Sequence, residues 1–337
     1  MHIAALTQGI NVPSARFRIR QLIAPLGLSG VKVTEFPSIP GAYPPIGTFH
    51  RLKWAPNVVL DAWHRSRITS NFDVTIIQRE LISTLPSFEG ILKHPVISDI
   101  DDSIWLYRKE FAARHLAKYS DYIVVGNQNL ANYFSQFGKD ITIIPTGVDI
   151  ERFSPLKSLS KRSYGVIGWS GTSGGYAYFE MLQNSLAQFL LRHSDWKIRF
   201  ISDCPPNLPL LPKNQIEYYP WSPLNEASLT ADMDIGLMPL DNNSWSYGKC
   251  SYKMLLYMAC GVPVIASAIG MNLDILRMDD VGFGVNTHDD WLFALDALVD
   301  NAELRRDMGS RGRQLVEQQF SLKIVTAQWL DVLANFK

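Results

Sequence analysis

The stretch Gly248-Lys249-Cys250-Ser251-Tyr252-Lys253-Met254-Leu255-Leu256-Tyr257-Met258-Ala259-Cys260-Gly261-Val262-Pro263-Val264-Ile265-Ala266-Ser267 describes three things in order: a glycine-bearing loop, a helix ending at Gly261, and a buried strand. Unpaired amides at the start of such a helix can hold a diphosphate, with Ser251 adding a hydrogen bond. Lys249 and Lys253 are four positions apart and are expected to share a helix face. From there a lysine can offset donor phosphate charge and the charge that grows on a leaving diphosphate. A surface helix with two solvated lysines is the alternative reading.

Outward from this block, the second half carries further short apolar runs at Tyr164–Gly168, Ile198–Ile201, Ile216–Tyr218 and Asp234–Leu237, separated by helix-length segments. The first half has the same punctuation. Its runs are His2–Leu6, Val31–Phe36, Val74–Ile77, Val96–Ile97, Tyr122–Val125 and Ile141–Ile144, with a helix through Arg16, Arg18 and Leu22 to about Leu26 and a turn-rich excursion from Pro37 to Pro45. Nearly continuous apolar strands suit parallel sheets covered on both faces. The fold class expected is α/β, with two Rossmann-like doubly wound parallel-sheet domains facing a cleft, since open parallel sheets bind ligands beyond the carboxyl ends of their strands.

The expected boundaries are a first domain over 1–155, a linker over 156–163 and a second domain over 164–320. A last helix over 321–337 carries the apolar stripe Leu322, Val325, Trp329, Leu333 and Phe336. That helix either completes the second domain or crosses back to pack on the first, and we read it as crossing back.

The 337 residues, 47% apolar and 19% charged, are enough for two globular cores. A formal net charge of zero argues against a general nucleic-acid binder but leaves room for a local cationic pocket. No apolar run approaches a membrane span, and Met1–Thr7 lacks the features of a secretory signal. Cys204, Cys250 and Cys260 have neither metal-site spacing nor disulfide density, so a cytoplasmic setting is expected. The basic residues Arg51, Lys53, Arg65 and Arg67 read first as a solvated face, with peripheral contact with an anionic membrane as the alternative.

Several strand-end loops offer polar groups. Gly168-Trp169-Ser170-Gly171-Thr172-Ser173-Gly174-Gly175 is a second phosphate-side candidate, with neither dinucleotide-fingerprint spacing nor a P-loop ending. Ser14, Arg16 and Arg18 follow the corresponding loop of the first domain and can fix an acceptor phosphate or carboxylate. Arg79 and Glu80 follow a strand and can bind an anionic oxygen and position a hydroxyl, with a loop salt bridge as the alternative. Asp99-Ile100-Asp101-Asp102 is read as acceptor orientation or active-site electrostatics, with capping of a 103–118 helix as the alternative and no metal assigned. Asp101 and Asp102 are expected to point in different directions.

Taken in order, these segments resemble the large family four of retaining glycosyltransferases with the GT-B fold. The marks are Ile144-Pro145-Thr146-Gly147-Val148-Asp149 through Pro155, Ala231-Asp232-Met233-Asp234-Ile235-Gly236-Leu237-Met238-Pro239-Leu240, and Gly248–Ser267. Gly168–Thr172, Ser14–Arg18 and Asp99–Asp102 are similar to a subgroup that makes bacterial surface glycans.

The resemblance implies transfer of a hexose or deoxyhexose from a nucleoside-diphosphate sugar to a saccharide or lipid-linked saccharide, with retention and no cofactor or active-site metal. It places donor binding in the second domain, at Gly168, Gly171, Thr172, Tyr219, Trp221, Lys249, Ser251 and Lys253, and acceptor binding in the first, at Ser14, Arg16, Arg18, Arg79 and Glu80. Asp101, Asp102 and Lys249 are the expected catalytic residues. The family's two glutamates, separated by seven residues, are replaced here by Gly248 and Leu256. That departure favours a variant donor site and keeps open a non-catalytic sugar-binding or assembly protein. A nucleotide-sugar epimerase would need a Tyr-x-x-x-Lys pair, which Tyr133, Tyr164, Tyr247, Tyr252 and Tyr257 do not provide.

Overall fold

The computed structural model describes residues 1–156 and 162–336, so the 156–163 connection falls largely outside the described residues. Among the described residues, twelve strands form two separate sheets. The first contains β1 (His2–Thr7), β2 (Lys32–Pro37), β3 (Val74–Gln78), β4 (Val96–Ile100), β5 (Tyr122–Val125) and β6 (Asp140–Ile143), in the order β2-β1-β3-β4-β5-β6. The second contains β7 (Gly165–Ser170), β8 (Trp196–Ser202), β9 (Ile216–Pro220), β10 (Ile235–Met238), β11 (Val264–Ser267) and β12 (Gly282–Val285), in the order β12-β11-β10-β7-β8-β9. Every neighbouring pair is parallel. Both sheets are doubly wound α/β, with strand order reversing between β1 and β3 in one and between β7 and β10 in the other.

The apolar runs become strands because both faces are covered. All five residues of β3 and all five of β4 are buried, and so are the four of β10 and the four of β11. The chain divides into two compact units. The first takes Met1–Gly147, Tyr247–Cys250 and the segment from Leu322; the second takes Val148–Ser246 and Ser251–Ser321. In the first core, Val325, Trp329, Val332 and Leu333 of the Leu322–Ala334 helix pack with Ile3, Ala5, Val74, Ile97 and Val124. The second core is built around Trp169, Phe179, Phe189, Phe200, Leu237 and Trp291.

Three local expectations are corrected. The 103–118 helix is instead two short 3-10 turns and then a helix only over Phe111–Tyr119. Arg108, Lys109 and Glu110 all adopt positive φ, which L residues tolerate poorly within a helix. The segment after β1 is a π-helical turn over Ala15–Ile19, a 3-10 turn over Arg20–Leu22 and a short α-helix over Ile23–Leu28 rather than one helix. The helix of the 248–267 block begins at Tyr252, because Ser251 sits at φ 49°, so Lys249 lies outside it and shares no helix face with Lys253.

Trp329 is fully buried in the first core. Trp329→Ala is expected to cost about 3–5 kcal/mol by removing that packing, read from urea unfolding; a loss below about 1 kcal/mol would contradict this placement of the helix.

Candidate functional site

In the first unit the carboxyl ends of β1, β3, β4 and β5 hold a compact polar cluster. The chain turns sharply after β3: Arg79 has φ 57° and donates its backbone N–H to the Asp99 carbonyl at 2.9 Å. This turn aims the guanidinium along the ends of the strands. Its Nε meets Asp101 Oδ1 at 2.5 Å, its Nη2 meets Asp102 Oδ2 at 2.6 Å, and its Nη1 donates to the Tyr43 hydroxyl at 3.1 Å. Lys249 Nζ approaches Asp102 Oδ1 at 2.8 Å. The two aspartates therefore do not diverge as expected. One planar fork gathers both, which is a geometry that arginine supplies and lysine does not.

Beneath them Arg18 makes a two-pronged ion pair with Asp99 at 2.5 and 3.1 Å and donates to the Ile144 carbonyl at 2.7 Å. Arg18 is buried and its donors are engaged there, so it is a core cation rather than an acceptor ligand. Three carboxylates (Asp99, Asp101, Asp102) thus meet three cations (Arg18, Arg79, Lys249), and the cluster is electrically balanced. Burial alone would raise the Asp101 carboxyl. Arg79, followed by Arg18 and Lys249, outweighs that effect and holds the group below the ordinary carboxylate range.

The segment Tyr247–Cys250 is seated by close approach. Asn127 Nδ2 donates to the carbonyls of Lys249 at 3.0 Å and Tyr247 at 3.3 Å. A Cβ on Gly126 would strike Cys250 Sγ, and a Cβ on Gly248 would strike Ser103 Oγ and stand 2.8 Å from the Ser103 backbone nitrogen. Burial pushes the Cys250 thiol far up, so it is inert packing.

Among the other expected acceptor residues, Arg16 lies 4.1 Å over the Phe17 ring. Ser14 Oγ is buried with no hydrogen-bond partner. Glu80 is buried, accepts the Thr84 N–H at 2.7 Å on one oxygen and leaves the other without a partner; burial raises its carboxyl. Sequence reasoning passed over Gln8, Tyr43 and Gln78. Tyr43 donates to Gln8 Oε1 at 2.8 Å, and Gln78 Nε2 reaches Asp101 at 3.3 Å. The signal for Gln8 and Gln78 was their position immediately after or at a strand end; Tyr43, inside the turn-rich excursion, had none.

In the second unit Lys253 and the loop after β7 come together. A Cβ on Gly171 would collide with the Trp169 ring and stand 2.6 Å from Lys253 Cε, and Lys253 Nζ lies 5.8 Å from the Trp169 ring centroid. Thr172 is exposed, and the Tyr176–Arg192 helix opens directly behind this loop. Asp203, after β8, accepts from the Ser173 backbone N–H at 2.6 Å and its hydroxyl at 2.9 Å, which fixes the loop. Three amides of the loop are engaged: Gly171 N–H by the Ile201 carbonyl, Ser173 N–H by Asp203 and Gly175 N–H by the Thr172 carbonyl.

Tyr219 and Trp221 are partly exposed at the end of edge strand β9, with the Arg199 guanidinium 5.3 Å from the Tyr219 ring centroid. Two expected donor residues have other tasks. Gly168 lies within β7, where any Cβ would strike Met233. Ser251 is buried and gives its hydroxyl hydrogen to Asn272 Oδ1 at 2.7 Å. Among the described residues, no group of three or more His, Cys, Asp or Glu side chains could hold a metal ion.

Residues 253–315 match the family model described as glycosyl transferases group 1. Over 119 residues the chain is 31% identical to N-acetyl-alpha-D-glucosaminyl L-malate synthase of Bacillus anthracis, a match spanning 34% of this chain and 30% of that enzyme. Sucrose-phosphate synthase from Thermosynechococcus elongatus superposes with a TM-score of 0.75 at 13% identity, covering 99% of each chain. Anabaena HepE in complex with UDP-glucose gives the same TM-score of 0.75 at 13% identity, again over 99% of each chain. The chain has the GT-B fold and resembles the GT4-type glycosyltransferases. The two places where it departs from the GT4-type glutamate pair now have physical causes. Only glycine fits at 248 against the Ser103 backbone, and Leu256 is buried on the core side of its helix.

Gly248→Glu is therefore expected not to restore a family carboxylate but to destabilise the protein by about 1–3 kcal/mol through overpacking, measured by thermal unfolding; an unchanged melting temperature would contradict it. Arg79→Gln leaves the part-buried Asp101 without its directly paired cation and Asp102 with Lys249 alone, at a cost on the order of 3 kcal/mol at neutral pH. Because the folded Asp101 carboxyl is lowered, its contribution is present above the unfolded pKa of about 3.9 and is lost as pH falls through the folded value. The stability gap between wild type and Arg79→Gln should therefore hold from pH 7 down to about pH 4.5 and narrow as pH falls below about 3.9 in urea unfolding; a gap independent of pH would contradict the pairing.

Proposed function

We propose that this chain is a metal-independent, anomer-retaining glycosyltransferase that moves a hexose or deoxyhexose from a nucleoside-diphosphate sugar to a saccharide or lipid-linked saccharide acceptor. The observation that carries the reading is Lys253 lying against the Gly171 loop at the strand-order reversal of the second sheet. There Lys253 and the exposed Thr172 receive the diphosphate, and the lysine offsets the charge that accumulates on it as the anomeric C–O bond breaks. Tyr219 and Trp221 offer aromatic faces to the base.

In the first unit, Asp101 and Asp102 accept hydrogen bonds from acceptor hydroxyls, while Arg79 and Lys249 hold them in place. The acceptor oxygen attacks the anomeric carbon on the face that the phosphate leaves. Its proton passes to a phosphate oxygen of the departing nucleoside diphosphate. No protein carboxylate has to act as a free base, which suits a pair held by two cations. Among the described residues no helix is long and apolar enough to cross a membrane. We place the enzyme in the cytoplasm, peripheral at the inner face of the membrane, in bacterial surface-glycan synthesis.

Incubation with UDP-, GDP- and dTDP-sugars and saccharide acceptors, with products identified by mass spectrometry and anomeric configuration by NMR, tests this reading. Retained configuration and a loss of kcat on the order of a hundredfold in Lys253→Ala are expected. An inverted product would overturn retention, and absence of any transfer would overturn the enzyme. A second reading, nucleotide-sugar binding without turnover, is favoured by Gly248 and Leu256 standing in place of both glutamates; donor binding without transfer or hydrolysis would select it.

A further inference from the structure

The helix Thr48–Ile68 has two faces with opposite fates. Val58, Ala62, Arg65 and Ser66 are buried in the first unit. Arg65 is held by Asp61 at 2.8 Å and by the Thr7 carbonyl at 3.1 Å, so it does not belong to the basic surface that its sequence neighbours suggested. On the other side, Phe49, Leu52, Val59, Leu60 and Trp63 recur at helical spacing and are 44–70% exposed. Ile46, just ahead of the helix, is 94% exposed. Arg51, Lys53 and Arg67 are exposed on the same helix, as are His50 and His64. Lys53 Nζ rests 4.6 Å over the Phe49 ring. No acidic residue occurs from Phe36 to Leu60, and Asp61, the helix's one acid, is occupied by Arg65 and Ser38.

Single exposed apolar side chains are ordinary; an aligned row of them among cations is not. We propose that this ridge docks on an anionic lipid surface, an inference that rests on the lipid-linked acceptor reading. The apolar row enters the boundary between headgroups and acyl chains, and the cations meet lipid phosphates. Charge selects this occupant. A second copy of the chain packed isologously would set Arg51, Lys53 and Arg67 against the same residues of its partner. The ridge is also tied to the carboxylate cluster of its own unit. The loop leading into the helix supplies Tyr43 to Arg79, and Trp54 of the helix donates to the Gly41 carbonyl of that loop at 2.9 Å.

Flotation of the full chain with vesicles of phosphatidylcholine alone, and of equimolar phosphatidylcholine and phosphatidylglycerol, tests the proposal. Binding is expected to the anionic vesicles only and to weaken with salt. Reversing Arg51 and Lys53 to Glu should weaken it by at least about fivefold per charge, and Phe49→Ser with Trp63→Ser should abolish it. These positions are exposed, so thermal unfolding and transfer to a water-soluble acceptor should be unchanged. Equal binding to both vesicles, no binding, or full binding by the variants would overturn the proposal. A dimer in light scattering that the serine variants abolish would assign the ridge to a second copy and overturn it too. Vesicle binding without any glycosyl transfer would leave the docking surface standing and sink the enzymatic reading instead.

Discussion

Buried charge has to be balanced, and at the end of β4 in the first unit the guanidinium of Arg79 does most of that balancing. Arg79 holds Asp101 and Asp102 in a single fork while Lys249 takes the remaining side of Asp102. Without these cations, two adjacent carboxylates at the end of β4 would be partly desolvated and would repel each other. The strained turn at Arg79, the glycines at 126 and 248 and the seating of Tyr247–Cys250 all serve the same arrangement. Each permits an approach that a Cβ or a relaxed backbone would prevent. The strain is local and sits where the polar groups converge, as it does at functional sites generally.

The same constraint shapes the chemistry. The Asp101 carboxyl, lowered chiefly by Arg79, is a poor proton acceptor and a good fixed hydrogen-bond acceptor. That suits a reaction in which the leaving phosphate takes the proton and the protein supplies alignment and charge. It also separates the roles of the two lysines that the sequence set side by side. Lys249 belongs with the carboxylates of the first unit, and Lys253 with the Gly171 loop of the second.

Much of the fold was legible in the sequence because strands buried on both faces read as short, unbroken apolar runs, and all but the edges of both sheets are of this kind. What escaped was set by backbone dihedrals and distant partners. Three successive positive φ values at Arg108, Lys109 and Glu110 break the helix expected over 103–118, and a left-handed Ser251 delays the next helix until after Lys249. Neither leaves a glycine as a mark. Arg18 was read as an acceptor ligand because its carboxylate, Asp99, lies 81 residues away. Ser251 and Gly168 fit a phosphate loop by spacing, yet Asn272 and Met233 claim them by packing. The loss of the family's glutamates was visible at once; the steric reason at Gly248 required the Ser103 backbone to be seen beside it.

The most direct test is a crystal structure with an intact nucleoside-diphosphate sugar bound. The diphosphate is expected beside the Gly171–Gly175 loop at Thr172 with Lys253 Nζ in contact, and the ribose hydroxyls on groups other than Leu256. A donor bound elsewhere on the chain, or a diphosphate that leaves Lys253 without a contact, would contradict it.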